Sequence, residues 1–494
     1  MAEAQSYNMS DGTITAGLLV DNVWSEGTGA EPMHIYSPHT GARLATLMES
    51  SAADVDAAVT SAHKTFEAAR LAPYDRYRIL RRAAELIDER SETLARSVVA
   101  EAGKPIRDAR AEVARAVLAF ELCGEEAKRI GGEYVPVDAT PGSENRHAFT
   151  IRRPTGVVCA ITPFNGPVNQ LSHKVPTAIA AGATVVVKPA EITPLSAILL
   201  IQILLDAGLP PGYVTMVQGR GEVVGQYLLE DPRFATYSFT GSSAVGLHIR
   251  RTVGLRKTLL ELGNNSANIV HADADLPLAA RTLARSMSVY AGQVCISAQR
   301  LLVHQDVYDE FAELLSAEVR ALRVGDPFDD ATDIGPMISE EAAVRAEAWI
   351  QEAVAGGAEL LCGGERTGSF VTPAVVSNPP ATANLLCNEA FAPVAGMVAY
   401  RELEQAFELA NNTDYGLQAG IFTSSIDVAM AAADRLVVGG VIVNDASSYR
   451  VDSMPYGGVK SSGSGREGVR YAVEEMTEPR LVVLNVRPPR PAGR

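Results

Sequence analysis

Cysteine is scarce in this chain of 494 residues. The five thiols, Cys123, Cys159, Cys295, Cys362 and Cys387, are odd in number and include no CxxC pair. This spacing excludes a disulfide framework and a zinc site built on paired cysteines. Reduced thiols are typical of the cytoplasm, where we expect the protein to reside. The histidines, His173 apart, are scattered without ligand spacing, so we expect no metal.

Positive charge is also in deficit, since 43 Lys and Arg stand against 59 Asp and Glu, for a net charge of −16. A field of that sign repels nucleic-acid phosphates and acidic membrane surfaces, so neither is an expected partner. The longest apolar run, residues 197–205, is interrupted by Gln202 and followed by Asp206. Together with the polar stretch at residues 1–10, this predicts neither a membrane span nor an export signal.

The chain does have the composition of packed domains, with 47% hydrophobic and 21% charged residues. Its length predicts two or three domains, or one doubly wound enzyme with appendages. Residues 52–131 carry apolar side chains three and four positions apart, which predicts three helices. Residues 134–153, with Pro136, Pro141 and Gly142, predict an extended connection or an edge hairpin.

From residue 156 onward, short β-branched runs alternate with helical segments. The predicted strands are 157–161, 184–187, 214–217, 236–239 and 258–262, and the predicted helices between them are 194–207, 222–229 and 243–253. A second series follows, with predicted helices at 276–290, 307–322, 340–355, 403–411 and 425–435 and predicted strands at 300–304, 441–444 and 480–486. Strands separated by helices of this length predict the α/β class, with helices on both faces of a parallel sheet.

Three residues occupy positions that suit a catalytic role. Cys295 lies between a helical segment and a strand, where a thiolate could be exposed and activated, although a lone cysteine is also typical of a buried structural position. Glu261 ends an apolar strand, where burial would suit it to act as a general base, and an exposed strand-end glutamate is the alternative. Asn165 follows a strand, and its amide could donate to an oxyanion or bond its own turn.

Seven segments accompany these residues: PFNGP at 163–167, KPAE at 188–191, FTGS at 239–242, ELG at 261–263, GQVC at 292–295, EAFAP at 389–393 and PYGGVKSSG at 455–463. In this order and spacing they resemble the aldehyde dehydrogenase superfamily, over residues 35–486. Any one of them is weak evidence, but seven in the family order make coincidence implausible. Within the superfamily the chain resembles the branch that acts on lactaldehyde and small anionic aldehydes.

The resemblance implies oxidation of an aldehyde to the free carboxylic acid with NAD or NADP. Cys295 matches the nucleophile that forms a thiohemiacetal and then a thioester. Asn165, with the backbone N–H of Cys295, matches the oxyanion hole, and Glu261 matches the base that activates the hydrolytic water. Members that pass the acyl group to coenzyme A generally lack this glutamate, so its presence favours release of the free acid.

The resemblance also implies a cofactor site. Lys188 and Glu191 match residues that hold the adenosine ribose, Ser242 matches a pyrophosphate contact, and Glu389 with Phe391 match contacts to the nicotinamide half. The full predicted set is Thr162, Pro163, Phe164, Lys188, Glu191, Gly221, Gly225, Phe239, Thr240, Gly241, Ser242, Leu262, Gly263, Glu389 and Phe391. Because a carboxylate at Glu191 would repel a 2′-phosphate, NAD is favoured over NADP. Residues 219–225 do not form a G-x-G-x-x-G fingerprint.

The predicted substrate site is Asn165, Gly166, Asn169, Gln170, His173, Val294, Ile296 and Arg450. Two positions depart from the family pattern: Gly166 stands where many members carry Phe, and Asn264 where Gly is usual. The Arg450 guanidinium could grip an anionic group at the far end of a small aldehyde, or could pair with Asp452 or Asp445. Arg115 is a second candidate for that role, with a solvated helix face as its alternative.

The resemblance divides the chain into three parts. It implies a doubly wound parallel-sheet cofactor domain (residues 1–131 and 152–260), an α/β catalytic domain (residues 261–462) and a small β oligomerisation element (residues 132–151 and 478–494). The last of these implies a homodimer or a homotetramer. Two other functions stay open at this point: a cysteine-dependent esterase or hydrolase on the same scaffold, and a non-catalytic protein. The presence of Cys295, Glu261 and Asn165 argues against the second.

Overall fold

The computed structural model describes residues 14–68 and 70–486. Within them the helices are α1 (Ala52–Ala68), α2 (Pro73–Glu89), α3 (Ser91–Ala102), α4 (Ile106–Ala127), α5 (Asn169–Ala181), α6 (Leu195–Asp206), α7 (Gln226–Glu230), α8 (Ser243–Val253), α9 (Leu276–Ser288), α10 (Tyr308–Arg320), α11 (Glu340–Ala355), α12 (Asn384–Cys387), α13 (Leu403–Asn411), α14 (Ile426–Arg435) and α15 (Val469–Glu475).

The strands are β1 (Leu18–Val20), β2 (Val23–Ser25), β3 (Pro32–Tyr36), β4 (Arg43–Met48), β5 (Tyr134–Val135), β6 (Arg146–Pro154), β7 (Val157–Ile161), β8 (Thr184–Lys188), β9 (Val214–Met216), β10 (Phe234–Thr240), β11 (Lys257–Glu261), β12 (Ala267–Val270), β13 (Arg300–His304), β14 (Glu359–Cys362), β15 (Arg366–Thr367), β16 (Phe370–Val371), β17 (Ala374–Ser377), β18 (Val394–Tyr400), β19 (Gln418–Phe422), β20 (Gly440–Val443), β21 (Gly463–Ser464) and β22 (Thr477–Asn485).

Two large sheets confirm the predicted α/β class. The first has the order β2-β1-β9-β8-β7-β10-β11-β21, and its five strands from β9 to β11 are parallel. The second has the order β14-β17-β18-β13-β12-β19-β20 and is parallel from β17 to β20. Strands such as β8, buried at every position, are typical of sheets covered on both faces.

A third, antiparallel sheet has the order β22-β6-β5. Strand β22 pairs with β6 along its whole length, from Thr477 opposite Pro154 to Asn485 opposite Arg146. This agrees with the extended hairpin and terminal strand expected at residues 134–153 and 480–486. The predicted domain boundaries stay a prediction.

The expectation of three helices in residues 52–131 is wrong, because the structure has four, α1 to α4. Helix α3 ends at Gly103, whose φ of 69° lies in the left-handed region, and Pro105 precedes the start of α4. Between α2 and α3, Arg90 separates the two helices without a glycine or proline. The apolar period alone therefore does not reveal that boundary.

Candidate active site

Several predicted site residues meet at one edge of the first sheet. The strand order reverses between β7 and β10, so the carboxyl ends of these neighbouring strands flank a topological switch point. Ile161 pairs with both Lys188 and Phe239 along this edge. Thr240 pairs with Glu261 on the next strand. Open α/β sheets bind their ligands in the crevice beyond such strand ends.

Cys295 lies on the loop after α9. The residues just before it, 290–292, have unusual backbone angles. Tyr290 and Ala291 have φ of 48° and 52°, in the left-handed region. At Gly292 φ is 69°, and a Cβ would lie 2.0 Å from the Ala392 carbonyl oxygen, so this position requires glycine. Such strain is typical of segments that hold functional groups in place.

The Cys295 thiol faces the hydroxyl of Tyr456, with 3.0 Å between sulfur and oxygen. Burial raises the pKa of the thiol to about 11, whereas the Tyr456 hydrogen bond and the charge of Arg450 act in the opposite direction. A thiolate is the reactive form of cysteine, so these two neighbours favour reactivity.

Asn165 reaches the loop that carries Cys295. Its Nδ2 donates to the carbonyl oxygen of Gln293 at 2.8 Å, rather than bonding its own turn. The carbonyl of Asn165 accepts from Lys104 Nζ at 2.8 Å, and Lys104 also pairs with Glu112. The structure therefore brings the Asn165 amide beside residues 293–295, held from behind by a buried lysine.

Glu261 ends β11 as a buried side chain, 3% exposed, so the alternative of an exposed strand-end glutamate is wrong. Within the described residues, neither of its carboxyl oxygens has a hydrogen-bond partner. Burial, and then repulsion from Glu467, raise the pKa of Glu261 well above its usual range. The backbone at Gly457 passes so near that a Cβ there would lie 3.0 Å from Glu261 Oε1. A buried carboxyl with a raised pKa suits a general base.

A buried ion-pair cluster that sequence reasoning missed lies behind this carboxyl. Glu467 accepts from Lys174 Nζ at 2.7 Å and pairs with Arg450 Nη2 at 3.1 Å. All three side chains are 5% exposed or less. Lys174 is a lone charge within the buried helix α5, a signal that could have identified it.

Asp452 forms a second buried centre. It accepts from Arg115 at 2.6 Å and contacts His173 Nε2 at 2.8 Å. Desolvation opposes its ionisation, but the hydrogen bonds from His173 and Arg115 keep the pKa of Asp452 well below its usual range. Arg450 pairs with Glu467 and not with Asp452 or Asp445, whereas Arg115 pairs with Asp452 and keeps 36% of its side chain exposed.

Lys188 and Glu191, predicted to hold the adenosine ribose, lie together with 3.6 Å between Nζ and Oε2. The Lys188 side chain is buried and the Glu191 side chain is 42% exposed, so the carboxylate is the accessible partner. Burial lowers the pKa of Lys188, which Glu191 partly offsets.

Glu389 is fixed beside the loop that follows β11. Its Oε1 accepts from the backbone N–H of Asn264 at 2.9 Å, and burial raises its pKa to about 7. At Gly263 a Cβ would lie 2.5 Å from Glu389 Oε2, which explains glycine at that position. Asn264, where Gly is usual, is buried, and its side-chain amide bonds Ser266 at 2.5 Å.

The remaining cofactor candidates surround the same strand ends. Phe164 and Phe391 contact edge to face, with 5.8 Å between ring centroids. Within the described residues the buried hydroxyl of Thr162 has no partner. At Gly221 and Gly225 an added Cβ would meet nothing within 4 Å. An unpartnered hydroxyl and an open glycine turn beyond the strand ends fit a dinucleotide.

Other members of the predicted cofactor set have structural contacts. Ser242 is the N-cap of α8, and its hydroxyl accepts from the Val245 N–H at 3.4 Å. Gly241 packs on the ring of Phe239, and Leu262 packs on Gly246. Pro163 is half-buried and Thr240 is buried.

The predicted substrate residues fall on α5, the loop before it and the Cys295 loop. Gly166 lies against Gln170, whose Cγ would be 3.0 Å from an added Cβ, and Gln170 Oε1 accepts from Thr240 at 3.5 Å. Ile296 is buried and Val294 partly buried, each on one side of Cys295. Asn169 is buried, and within the described residues its Oδ1 has no partner.

The described residues contain no group of three or more His, Cys, Asp or Glu side chains placed to hold a metal ion. No helix among them has both the length and the apolar character that a membrane crossing requires.

A doubly wound sheet with a cysteine loop beyond its carboxyl edge is typical of one class of protein, the nucleotide-dependent oxidoreductases. Residues 24–482 match the aldehyde dehydrogenase family, and the chain belongs to that family. It is an NAD(P)-dependent enzyme that oxidises an aldehyde to a carboxylic acid. None of the comparisons supports the esterase alternative.

Individual proteins similar to this chain are also aldehyde dehydrogenases. A 3-sulfolactaldehyde dehydrogenase from Priestia aryabhattai is 47% identical over 470 residues, which cover 95% of this chain and 98% of the relative. The crystal structure of aldehyde dehydrogenase 21 from Physcomitrella patens, in complex with the reaction product succinate, is 37% identical with a TM-score of 0.91. That match covers 95% of this chain and 98% of the other. Glyceraldehyde-3-phosphate dehydrogenase GapN from Methanocaldococcus jannaschii, complexed with NADP, is 38% identical with a TM-score of 0.88, covering 92% and 99%.

Proposed function

We propose that this enzyme oxidises short aldehydes that carry an anionic group at the far end, with NAD as its preferred oxidant. The observation that carries the proposal is the buried Arg450, whose guanidinium carbon lies 3.7 Å from the centroid of the Tyr456 ring, while the Tyr456 hydroxyl contacts Cys295. The Arg450 guanidinium is thus separated from the proposed nucleophile only by the Tyr456 side chain. The buried Nε of Arg450 has no hydrogen-bond partner among the described residues and is available to an anion.

The comparisons support the same substrate class. The relative from Priestia acts on a sulfonated aldehyde by its name, and the structure from Physcomitrella patens holds a dicarboxylate product. Arg115, with its side chain 36% exposed, supplies a second guanidinium beside the buried Asp452. The two arginines would share the far end of the substrate.

Cys295, Asn165 and Glu261 have separate roles in the proposed reaction. The Cys295 sulfur adds to the aldehyde carbon, and the Asn165 amide with the Cys295 N–H stabilises the oxygen of the thiohemiacetal. NAD(P), when bound, supplies the oxidising chemistry by accepting a hydride. Glu261 then takes a proton from the water that attacks the thioester, and the free acid leaves Cys295.

Two features support the preference for NAD. The accessible Glu191 carboxylate would repel a 2′-phosphate. Arg220 precedes Gly221, and its Nε and Nη2 both donate to the Glu49 carboxylate. Its positive charge is therefore already paired and is not free to bind a 2′-phosphate. An assay of initial rates with either nucleotide measures this preference directly.

Replacing Arg450 with Gln tests the substrate class. We expect kcat/KM for carboxylate- and sulfonate-tailed aldehydes to fall by about 100-fold, because a charge-assisted contact to the tail is lost. For neutral aldehydes of the same length we expect less than about a tenfold loss. Arg450→Lys keeps the cation opposite Glu467 and should retain part of the selectivity.

Arg82→Gln, on the exposed face of α2 away from these residues and from the third sheet, is the matched control and should change neither rate. Equal losses of Arg450→Gln on anionic and neutral aldehydes would contradict the proposed substrate class. The dehydrogenase activity itself would still stand.

We further propose that the chain assembles as a homodimer or homotetramer through the sheet β22-β6-β5. Leu481, Val483 and Leu484 on β22 are 47% to 56% exposed, an apolar strand that a single copy leaves open to solvent. Light scattering should give a small multiple of 52.4 kDa at assay concentration. A mass of one chain would overturn the assembly.

We also propose that residues 1–131 and 152–260 form the cofactor domain and residues 261–462 the catalytic domain. The separate first and second sheets support this division. A cytoplasmic location is supported by the five free cysteines.

A further inference from the structure

The Tyr456 hydroxyl contacts the Cys295 sulfur, and the catalytic steps proposed above do not use it. The two atoms lie 3.0 Å apart. Tyr456 is 2% exposed and packs with the buried Ile296 and Leu417, and Val294 and Met454 close the cluster from its rim. The hydroxyl is thus shielded from water, whereas the Cys295 thiol is partly exposed.

The backbone holds this tyrosine in place. Its N–H donates to the Glu467 carbonyl at 3.0 Å, and its carbonyl accepts from the Glu467 N–H at 2.6 Å. The next residue, Gly457, has a φ of 154° and brings the backbone against Glu261. Residues 456 and 457 therefore contact both groups: the Tyr456 hydroxyl contacts the Cys295 sulfur, and the Gly457 backbone lies against the carboxyl of Glu261, the proposed base.

A cation lies over the Tyr456 ring. The Arg450 guanidinium carbon is 3.7 Å from the ring centroid, within cation–π distance, and the side chain is 5% exposed. A positive charge over a phenol strengthens its hydroxyl as a hydrogen-bond donor. Burial raises the pKa of Tyr456 well above its usual range, so the phenol keeps its proton and can donate it in a hydrogen bond.

We propose that Tyr456 is a catalytic residue that stabilises the Cys295 thiolate by donating a hydrogen bond to its sulfur, with Arg450 polarising the phenol from its position over the ring. This rests on the proposed function in that Cys295 is the nucleophile. The thiol proton leaves to solvent before the sulfur adds to the aldehyde, and the phenol keeps its own proton throughout. No bond to Tyr456 forms or breaks.

The charges around the sulfur make such a donor necessary. The ionisable groups that act on Cys295 are Tyr456, Arg450, Glu389 and Glu261. The two carboxyl groups disfavour a thiolate, and Arg450 is engaged with Glu467. Among these groups Tyr456 alone both contacts the sulfur and favours its ionised form.

Alkylation of Cys295 by iodoacetamide, followed by peptide mass across a pH series without nucleotide, tests the proposal. Tyr456→Phe keeps the ring and removes the hydroxyl. We expect the midpoint of the pH dependence to rise by about one unit or more, so that alkylation below it slows by about tenfold. The pH profile of kcat/KM should shift in the same direction.

Three controls make the outcome specific. Cys387 is exposed and should alkylate at the same rate in every variant, which calibrates the reagent. Tyr449→Phe removes an exposed tyrosine hydroxyl from the loop before Tyr456 and should leave the Cys295 midpoint unchanged. If Tyr456→Phe does not fold, as judged by its melting transition, the wild-type chain with 3-fluorotyrosine in place of tyrosine, which strengthens the donor, should lower the midpoint.

An unchanged Cys295 midpoint in folded Tyr456→Phe would overturn the proposal. Failure of the proposed function is a separate result, namely turnover that survives Cys295→Ala. The alkylation assay uses neither aldehyde nor nucleotide, so the two outcomes are distinguishable.

Discussion

Cys295→Ala should abolish aldehyde oxidation, with kcat/KM falling by about 10⁴-fold or more. In the proposed mechanism the sulfur adds to the aldehyde, so alanine leaves nothing to carry the acyl group to water. The substitution removes a partly exposed side chain from a loop whose shape depends on residues 290–292, so folding should be unchanged. Turnover by steady-state nucleotide reduction and nucleotide binding by fluorescence measure the two consequences separately.

Cys387→Ala is the matched control, since it removes an exposed thiol on a different element. It should oxidise aldehydes at the wild-type rate. Turnover by Cys295→Ala within about tenfold of the wild type would contradict the assignment of the nucleophile.

Glu261→Gln should slow steady-state turnover by about 10³-fold while sparing the first oxidation. Glutamine has nearly the same shape, but its amide cannot accept the proton of the attacking water. The thioester would then accumulate, and stopped-flow absorbance should record a burst of reduced nucleotide close to one per active site. Loss of the burst along with the steady state would show that the carboxylate serves an earlier step.

The pH dependence of the wild type follows from the same carboxyl. Burial and Glu467 raise the pKa of Glu261 well above its usual range, so the base is protonated and idle over a wider acidic interval. Hydrolysis should therefore be lost as pH falls through that raised pKa and recover above it. In Glu261→Gln this dependence should disappear from the hydrolysis step.

Part of the fold was predictable because local signals agreed with the final packing. Helices α8, α11 and α13 have the predicted bounds, and serine N-caps at Ser242 and Ser339 mark the starts of α8 and α11. Strands β7 and β13 are short, buried and rich in branched side chains, and they too have the predicted bounds.

Other strands escaped prediction because their sequences are adapted to tight packing. In β19, an added Cβ at Gly420 would lie 2.3 Å from Asn268 Oδ1, so this strand contains glycine where β-branched residues would signal a strand. In β18, Gly396 lies against the Leu386 side chain in the same way. Such close approaches depend on neighbours far along the chain.

In the candidate site, too, residues in local motifs were predictable from the sequence, whereas contacts between distant residues were not. Cys295, Asn165 and Glu261 stand in short motifs, and the structure gathers the first two at one loop and buries the third at the adjoining sheet edge. Their roles, like those of the cofactor and substrate residues, stay predictions. Partners such as Lys174 and Glu467 are 293 residues apart, so no local pattern reveals their contact.

The central claim is that oxidation proceeds through an acyl group on Cys295. Its most direct test is the mass of the Cys295 peptide from Glu261→Gln, acid-quenched after mixing with NAD and a carboxylate-tailed aldehyde. We predict that this peptide gains the mass of the acyl group, in proportion to the burst of reduced nucleotide. Reduced nucleotide without any mass increase on the Cys295 peptide would contradict the account.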